Sequence, residues 1–269
     1  MKTRAITAFF FTIVMLGSIF LGAYTFTFFY LLLSVLALAE FYKLIRTADA
    51  KPHRETGLMT GTVIFLLVAV YHFIPLNTKY LLLLIPLVFI VFLLELYKKA
   101  PSPFANISYT FVGLIYVTVP FCFFYSLGFI NDWNTYNFHL PLSFLLMLWA
   151  SDTGAYLFGR KLGSHKLFER HSPKKTWEGF FGGVFTSVLV SFIVSLFFKE
   201  ISFLVLGGMA VLIVSFGTLG DLVESMLKRS LGAKDSGTLL PGHGGLLDRF
   251  DGLLIAAPIV YVYLYLIFN

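Results

Sequence analysis

Charge is scarce in this chain. Asp, Glu, Lys and Arg make up 13% of its 269 residues, where a soluble domain carries about a quarter. So thin a supply cannot cover a soluble surface of this size, which excludes water as the natural solvent for most of the chain. Cysteine is nearly absent. The one residue, Cys122, lies inside an apolar run, so no intrachain disulfide framework exists and the thiol reads as a small apolar helix residue. Internal repeats, low-complexity tracts and a stretch polar enough for a separate soluble domain are also missing.

Apolar residues fill the space: 58% of the chain is hydrophobic and the mean hydropathy is +0.85. A membrane-spanning helix needs about 20 mostly apolar residues. Nine runs meet that need: residues 5–22, 24–45, 57–75, 79–97, 105–129, 139–158, 178–198, 201–223 and 250–268. The sequence therefore predicts an all-α polytopic membrane protein of about nine spans. The first run follows Lys2 and Arg4 as a secretory leader would, but the next runs are equally apolar and no small-residue cleavage site follows, so it reads as a span.

The formal net charge is +6. Its placement shows what it serves. With the N-terminus in the cytoplasm and connections alternating sides, every Lys and Arg except Lys79 and Lys199 falls on the inner side. The cell's inner (plasma) membrane is the expected location, and such a bias supports the span count, an inner N-terminus and an outer C-terminus. It speaks for anionic lipid and phosphate ligands and against nucleic acid.

Two stretches depart from plain spans: a basic inner loop over 159–177 and a polar segment over 224–249, rich in Gly, Lys and Asp. Residues 1–145 read as a hydrophobic scaffold, and 146–269 as the region that holds the polar chemistry. Acidic residues in a span are costly and mark polar sites. Asp152 stands between Ser151 and Thr153, in a run that ends at Arg160 and Lys161. It reads either as an interhelical hydrogen-bonding group or as a carboxylate in a watered cavity. Asp221, Glu224, Ser225 and Lys228 recur at i, i+3, i+4 and i+7, so they share one helix face. Asp248 and Asp251 are three apart where the last span begins, after Gly242, Gly244 and Gly245. There they serve either as helix-start acids favoured by the dipole or as ligands. The glycines permit a cramped turn or close approach to a phosphate. Acids gathered at one side with Lys174, Lys175, Lys228, Arg229, Lys234 and Arg249 suit Mg²⁺ and a phosphoanhydride better than Zn²⁺. Two acidic pairs leave room for a second cation. Glu40 and Glu95, each three residues before a lysine (Lys43, Lys98), read as snorkelling or i, i+3 paired acids.

The polar segments resemble the signature of the phosphatidate cytidylyltransferase family. Here it reads Ser225-Met226-Leu227-Lys228-Arg229, Lys234-Asp235, Pro241-Gly242-His243-Gly244-Gly245 and Asp248-Arg249-Phe250-Asp251. The blocks Ser151–Tyr156, Gly159-Arg160 and Ser172–Gly179 resemble family blocks too, so the likeness spans roughly 148–255, while 1–145 match only in being multi-spanning. The resemblance implies CTP and phosphatidate as substrates, CDP-diacylglycerol and pyrophosphate as products, a magnesium requirement and a homodimer. It implies Asp221, Asp248 and Asp251 as metal ligands, with Glu224 either a further ligand or, like Asp235, a group that orients basic residues or bound water. It further implies Lys174, Lys175, Lys228, Arg229, Lys234 and Arg249 as phosphate contacts, and Asp152, Ser225, His243, Gly244 and Gly245 around the substrates. The nearest rivals are other CTP-dependent lipid enzymes, of the polyprenol kinase or CDP-archaeol synthase type. A transporter would spread its acids through the membrane depth, whereas here they gather at one side.

Overall fold

The computed structural model describes residues 2–46, 50–74, 78–130, 135–170, 172–238 and 244–268. Most of them are helical, as expected where lipid offers no partner for backbone N–H and C=O groups. Seven helices are long and apolar enough to cross a membrane: Ala23–Ile45, Arg54–Phe73, Lys79–Leu96, Pro103–Phe129, Trp177–Phe197, Phe203–Ser230 and Leu247–Phe268. Two of the nine predicted runs fall outside this set. The first is represented by a shorter apolar stretch, Phe9–Phe20. The other is the helix His139–Leu162, whose polar Ser151–Tyr156 stretch, Arg160 and Lys161 dilute its hydropathy.

The chain divides into two compact units, Met1–Tyr136 with Asp235–Asp248, and Asn137–Lys234 with Arg249–Asn269. The first contains α1 (Lys2–Phe20), α2 (Ala23–Ile45), α3 (Arg54–Phe73), α4 (Leu84–Leu96), α5 (Pro103–Gly113) and α6 (Val119–Ser126). Its core is aromatic: Phe26, Tyr30, Phe41, Tyr42, Phe65, Phe121, Phe124 and Tyr125 are buried. Tyr42 of α2 donates to the Thr110 carbonyl oxygen at 2.7 Å. Its ring fills space that only glycine leaves: a Cβ on Gly57 of α3 or on Gly113 of α5 would stand 2.6 Å from ring atoms.

Two predicted spans prove irregular, each beside a proline. Run 79–97 opens with a 3₁₀ segment, Thr78–Leu83, before α4. Pro86 then falls in the first turn of α4, where a missing N–H costs nothing. Run 105–129 contains a π-helical segment, Leu114–Thr118, between α5 and α6. Pro120, near the start of α6, cannot donate to an i−4 carbonyl, and the wider turn before it absorbs the break.

The second unit holds α7 (His139–Leu162), strands β1 (Lys166–Phe168) and β2 (Ser172–Thr176), α8 (Trp177–Phe197), α9 (Phe203–Ser230) and most of α10 (Leu247–Phe268). The predicted 159–177 loop is thus largely structured. α7 runs on to Leu162, and β1 pairs antiparallel with β2 in a short hairpin. Thr176 caps α8, its side chain accepting from the Gly179 N–H at 3.2 Å. Nor is 224–249 one loop, because α9 continues to Ser230 and its Ser225–Ser230 stretch is helical.

α9 and α10 cross closely at glycines. A Cβ on Gly252 would lie 3.5 Å from the Gly217 Cα, and one on Gly220 would meet the Asp251 carbonyl. That crossing sets Asp221 beside Asp251. Gly220→Ala must push the helices apart and should lower stability by about 1–3 kcal/mol. A thermal-unfolding comparison in one detergent, run alongside the same substitution at Gly207, where space is open enough for a Cβ, checks it.

Candidate active site

In the second unit four elements each contribute to one polar cluster. α7 supplies Asp152, β2 supplies Lys175, α9 supplies Asp221 and Ser225, and α10 supplies Asp251. Lys175 Nζ lies 2.6 Å from Asp221 Oδ2 and 3.4 Å from the Thr218 carbonyl oxygen. The Ser225 hydroxyl donates to Asp221 Oδ1 at 3.3 Å. Asp251 Oδ1 accepts from the Gly252 N–H at 2.8 Å. Asp152, Asp221 and Asp251 lie within electrostatic reach of each other, and Lys175 is the cation that acts on both Asp152 and Asp251. Three carboxylates and one ammonium within electrostatic reach of one another make a site that favours further positive charge.

Other predicted residues of this unit play different parts. Glu224 is buried and paired with Lys228 one turn along α9 at 2.7 Å, so a cation already occupies its carboxylate. Arg229 donates to the Ala233 carbonyl oxygen at 3.4 Å, closing the turn after α9 through Gly232 at φ 65°. Lys174, Lys234 and Arg249 are exposed. Among the described residues no group of three or more His, Cys, Asp or Glu side chains forms a ready metal cage. Magnesium needs none: one or two carboxylates, water and substrate phosphate complete its usual shell. The all-oxygen donors Asp221 and Asp251 fit that ion.

The first unit orders the glycine-rich segment. Asp248 Oδ2 accepts from the Ser236 N–H at 3.1 Å and from the Gly245 N–H at 2.9 Å. Gly244 has φ 84°, a left-handed conformation open to glycine. A Cβ on Gly245 would stand 2.7 Å from the Gly237 nitrogen. These two glycines therefore serve a cramped turn. Asp235 is exposed, and His243 lies outside the described residues.

The turn is held by a residue the sequence reading assigned elsewhere. Glu40 of α2 does not pair with Lys43. Its Oε1 accepts from the Ser236 hydroxyl at 2.6 Å and the Leu247 N–H at 2.9 Å, and its Oε2 from the Leu246 N–H at 2.9 Å. Leu247 opens α10, so Glu40 satisfies N–H groups that a helix start leaves without partners. Glu95 does meet Lys98, at 3.9 Å, but it is buried and also bonded to His53 at 2.5 Å and to Asn106 at 2.6 Å. Burial of a carboxylate in an apolar run was the signal available for both.

Comparison with known proteins decides the family. The model of the cytidylyltransferase family matches residues 2–267. The chain belongs to the cytidylyltransferase family. A phosphatidate cytidylyltransferase of Staphylococcus aureus (strain COL) is 36% identical over 267 residues, covering 98% of this chain and 99% of the relative. One of Staphylococcus haemolyticus is 34% identical over 272 residues, covering 98% and 99%. One of Staphylococcus epidermidis (strain ATCC 12228) is 39% identical over 182 residues, 67% of this chain. The family likeness thus extends well beyond 148–255 and takes in the first 145 residues.

Proposed function

We propose that this chain transfers the cytidylyl group of CTP to phosphatidate, giving CDP-diacylglycerol and pyrophosphate. The observation that carries the reading is the end-to-end likeness to relatives of that name, and the acid–lysine cluster supplies residues suited to the chemistry. A phosphate oxygen of phosphatidate bonds to the α-phosphorus of CTP. The bond from that phosphorus to the bridging oxygen breaks, and pyrophosphate leaves with the electron pair. A phosphate monoester has its second pKa near ~6, so the attacking oxygen is already anionic at neutral pH. No protein nucleophile or strong base is required. The barrier is the meeting of two polyanions in line.

Asp221 and Asp251 would hold Mg²⁺, which when bound neutralises phosphate charge and steadies the leaving group. Lys175, now seated on Asp221, would turn to a phosphate oxygen once a cation takes its place. Lys174, Lys228, Arg229, Lys234 and Arg249 would add positive charge for the triphosphate. Asp248 keeps the glycine turn in shape through the Ser236 and Gly245 N–H groups. Glu224 would set Lys228.

The proposal extends to topology: nine spans, with α1 and α7 joining the seven, an inner N-terminus, and a homodimer in the inner membrane working on cytoplasmic CTP. Lys199→Cys, in protein whose Cys122 is changed to serine, should react with a membrane-impermeant maleimide from outside intact cells. Labelling only after lysis would reverse the orientation. The reaction itself is tested with purified protein in detergent, phosphatidate and CTP labelled at the α-phosphate, with and without magnesium. Label should enter the lipid only with magnesium. Lipid labelled from γ-labelled CTP instead would mean a kinase.

A further inference from the structure

Lys175 reaches the acid cluster from a strand that its own sheet holds poorly. The hairpin of β1 and β2 is two-stranded, and such a pair has little stability alone. Two pairs set its register, Lys166 with Thr176 and Phe168 with Ser172. From one pair to the other β1 advances from 166 to 168, while β2 advances from 172 to 176. The ladder is therefore irregular across 173–175, where Pro173 also has no N–H to donate. Lys175, whose Nζ lies 2.6 Å from Asp221 Oδ2, stands where strand pairing holds it least.

A hold from outside the ladder comes from the start of α8. His165 immediately precedes β1 and is gripped at its N–H, its ring and its carbonyl oxygen. The N–H donates to both carboxylate oxygens of Glu178, at 3.1 Å and 3.2 Å. Ring nitrogen Nδ1 lies 2.7 Å from Glu178 Oε1. The carbonyl oxygen accepts from the Trp177 N–H at 3.0 Å. Glu178 comes three residues after Lys175, so it closes the hairpin at its base, next to the lysine. An acid in the first turn of a helix is favoured by the dipole alone. The dipole does not explain why both oxygens turn back to a backbone N–H thirteen residues earlier.

We propose that Glu178 is a positioning residue: by holding His165 it fixes the base of the hairpin, and so aims Lys175 at Asp221 and at the substrate phosphate. This rests on the part given to Lys175 in the cytidylyl transfer above. Glu178 acts through Lys175 and touches no substrate itself. The ring contact is the lesser share of the grip. The His165 side chain is 81% exposed, and an exposed pair contributes little. The greater share is the backbone N–H, which an amide oxygen can also accept.

The test uses full-length protein in detergent. Glu178→Ala should lower kcat about tenfold, because a lysine out of place no longer meets the phosphate. Glu178→Gln should restore kcat to within about threefold of wild type, and His165→Ala, which keeps the N–H, should stay within about twofold. In protein that already carries Lys175→Ala, adding Glu178→Ala should change turnover less than about twofold, since residues that act as a unit are not additive. A role in stability alone would subtract the same factor in both backgrounds. Order is read without turnover, from a nitroxide on Lys174→Cys in protein whose Cys122 is changed to serine. Glu178→Ala should make that label more mobile, and Glu178→Gln should not. Wild-type kcat in Glu178→Ala, an unchanged label spectrum, equal losses in both backgrounds, or His165→Ala as harmful as Glu178→Ala would each overturn the assignment. If Lys175→Ala made no countable product, the label spectrum and the Glu178→Gln rescue would decide. If wild-type protein made no CDP-lipid, the proposed reaction would fall, while the label would still decide whether Glu178 orders the strand.

Discussion

Asp221→Asn should cut magnesium-dependent formation of CDP-lipid by about a thousandfold or more and leave the protein folded, since metal-borne charge stabilisation is worth several kcal/mol. Asparagine keeps the shape of the side chain and its bond from Ser225. It removes the charge that now faces Lys175 at 2.6 Å and that a divalent cation would need. The pair is part-exposed, so its loss should cost the fold only about 1 kcal/mol or less. Turnover and thermal unfolding measured on one preparation separate the two effects. Near-normal turnover across a magnesium titration would take Asp221 out of the proposed cation site.

Glu40→Ala should act in the opposite manner, through structure. It deletes the acceptor for one hydroxyl and two backbone N–H groups, all buried. Unsatisfied buried donors cost about 1–3 kcal/mol each, so a loss on the order of 3 kcal/mol is expected. Turnover should fall about a hundredfold, because a displaced glycine turn misplaces whatever binds beside it. Glu40→Gln should be intermediate in both respects, since its amide nitrogen would confront an N–H group where an acceptor is required. A variant with wild-type thermal stability and turnover would show that the turn holds without α2.

Much of this was legible in advance, for a physical reason. Apolar run length follows directly from bilayer thickness, so helical content and most spans could be read from hydropathy. The acids of α7, α9 and α10 were conspicuous because charge is expensive in lipid. Their roles were harder to separate. Asp221 and Glu224 share a helix face in sequence, yet one meets a lysine from β2 and the other a lysine on its own helix. Glu40 escaped because i, i+3 spacing to Lys43 offered a local partner, and the true donors lie some 200 positions away, |i−j| 206 for Leu246. The hairpin was hidden by its composition: Ser172–Thr176 reads SPKKT, with little strand propensity. Beyond its two strands Glu178 accepts from the His165 N–H at 3.1 Å and meets its ring at 2.7 Å.

The grip of Glu40 on Ser236, Leu246 and Leu247 bears on how such a protein matures. The segment leaves the ribosome about 200 residues after the carboxylate that shapes it. A fragment beginning after residue 136 would carry the recognisable signature and lack the group that gives its turn a fixed form. Supplying residues 1–136 as a separate chain is the way to restore it.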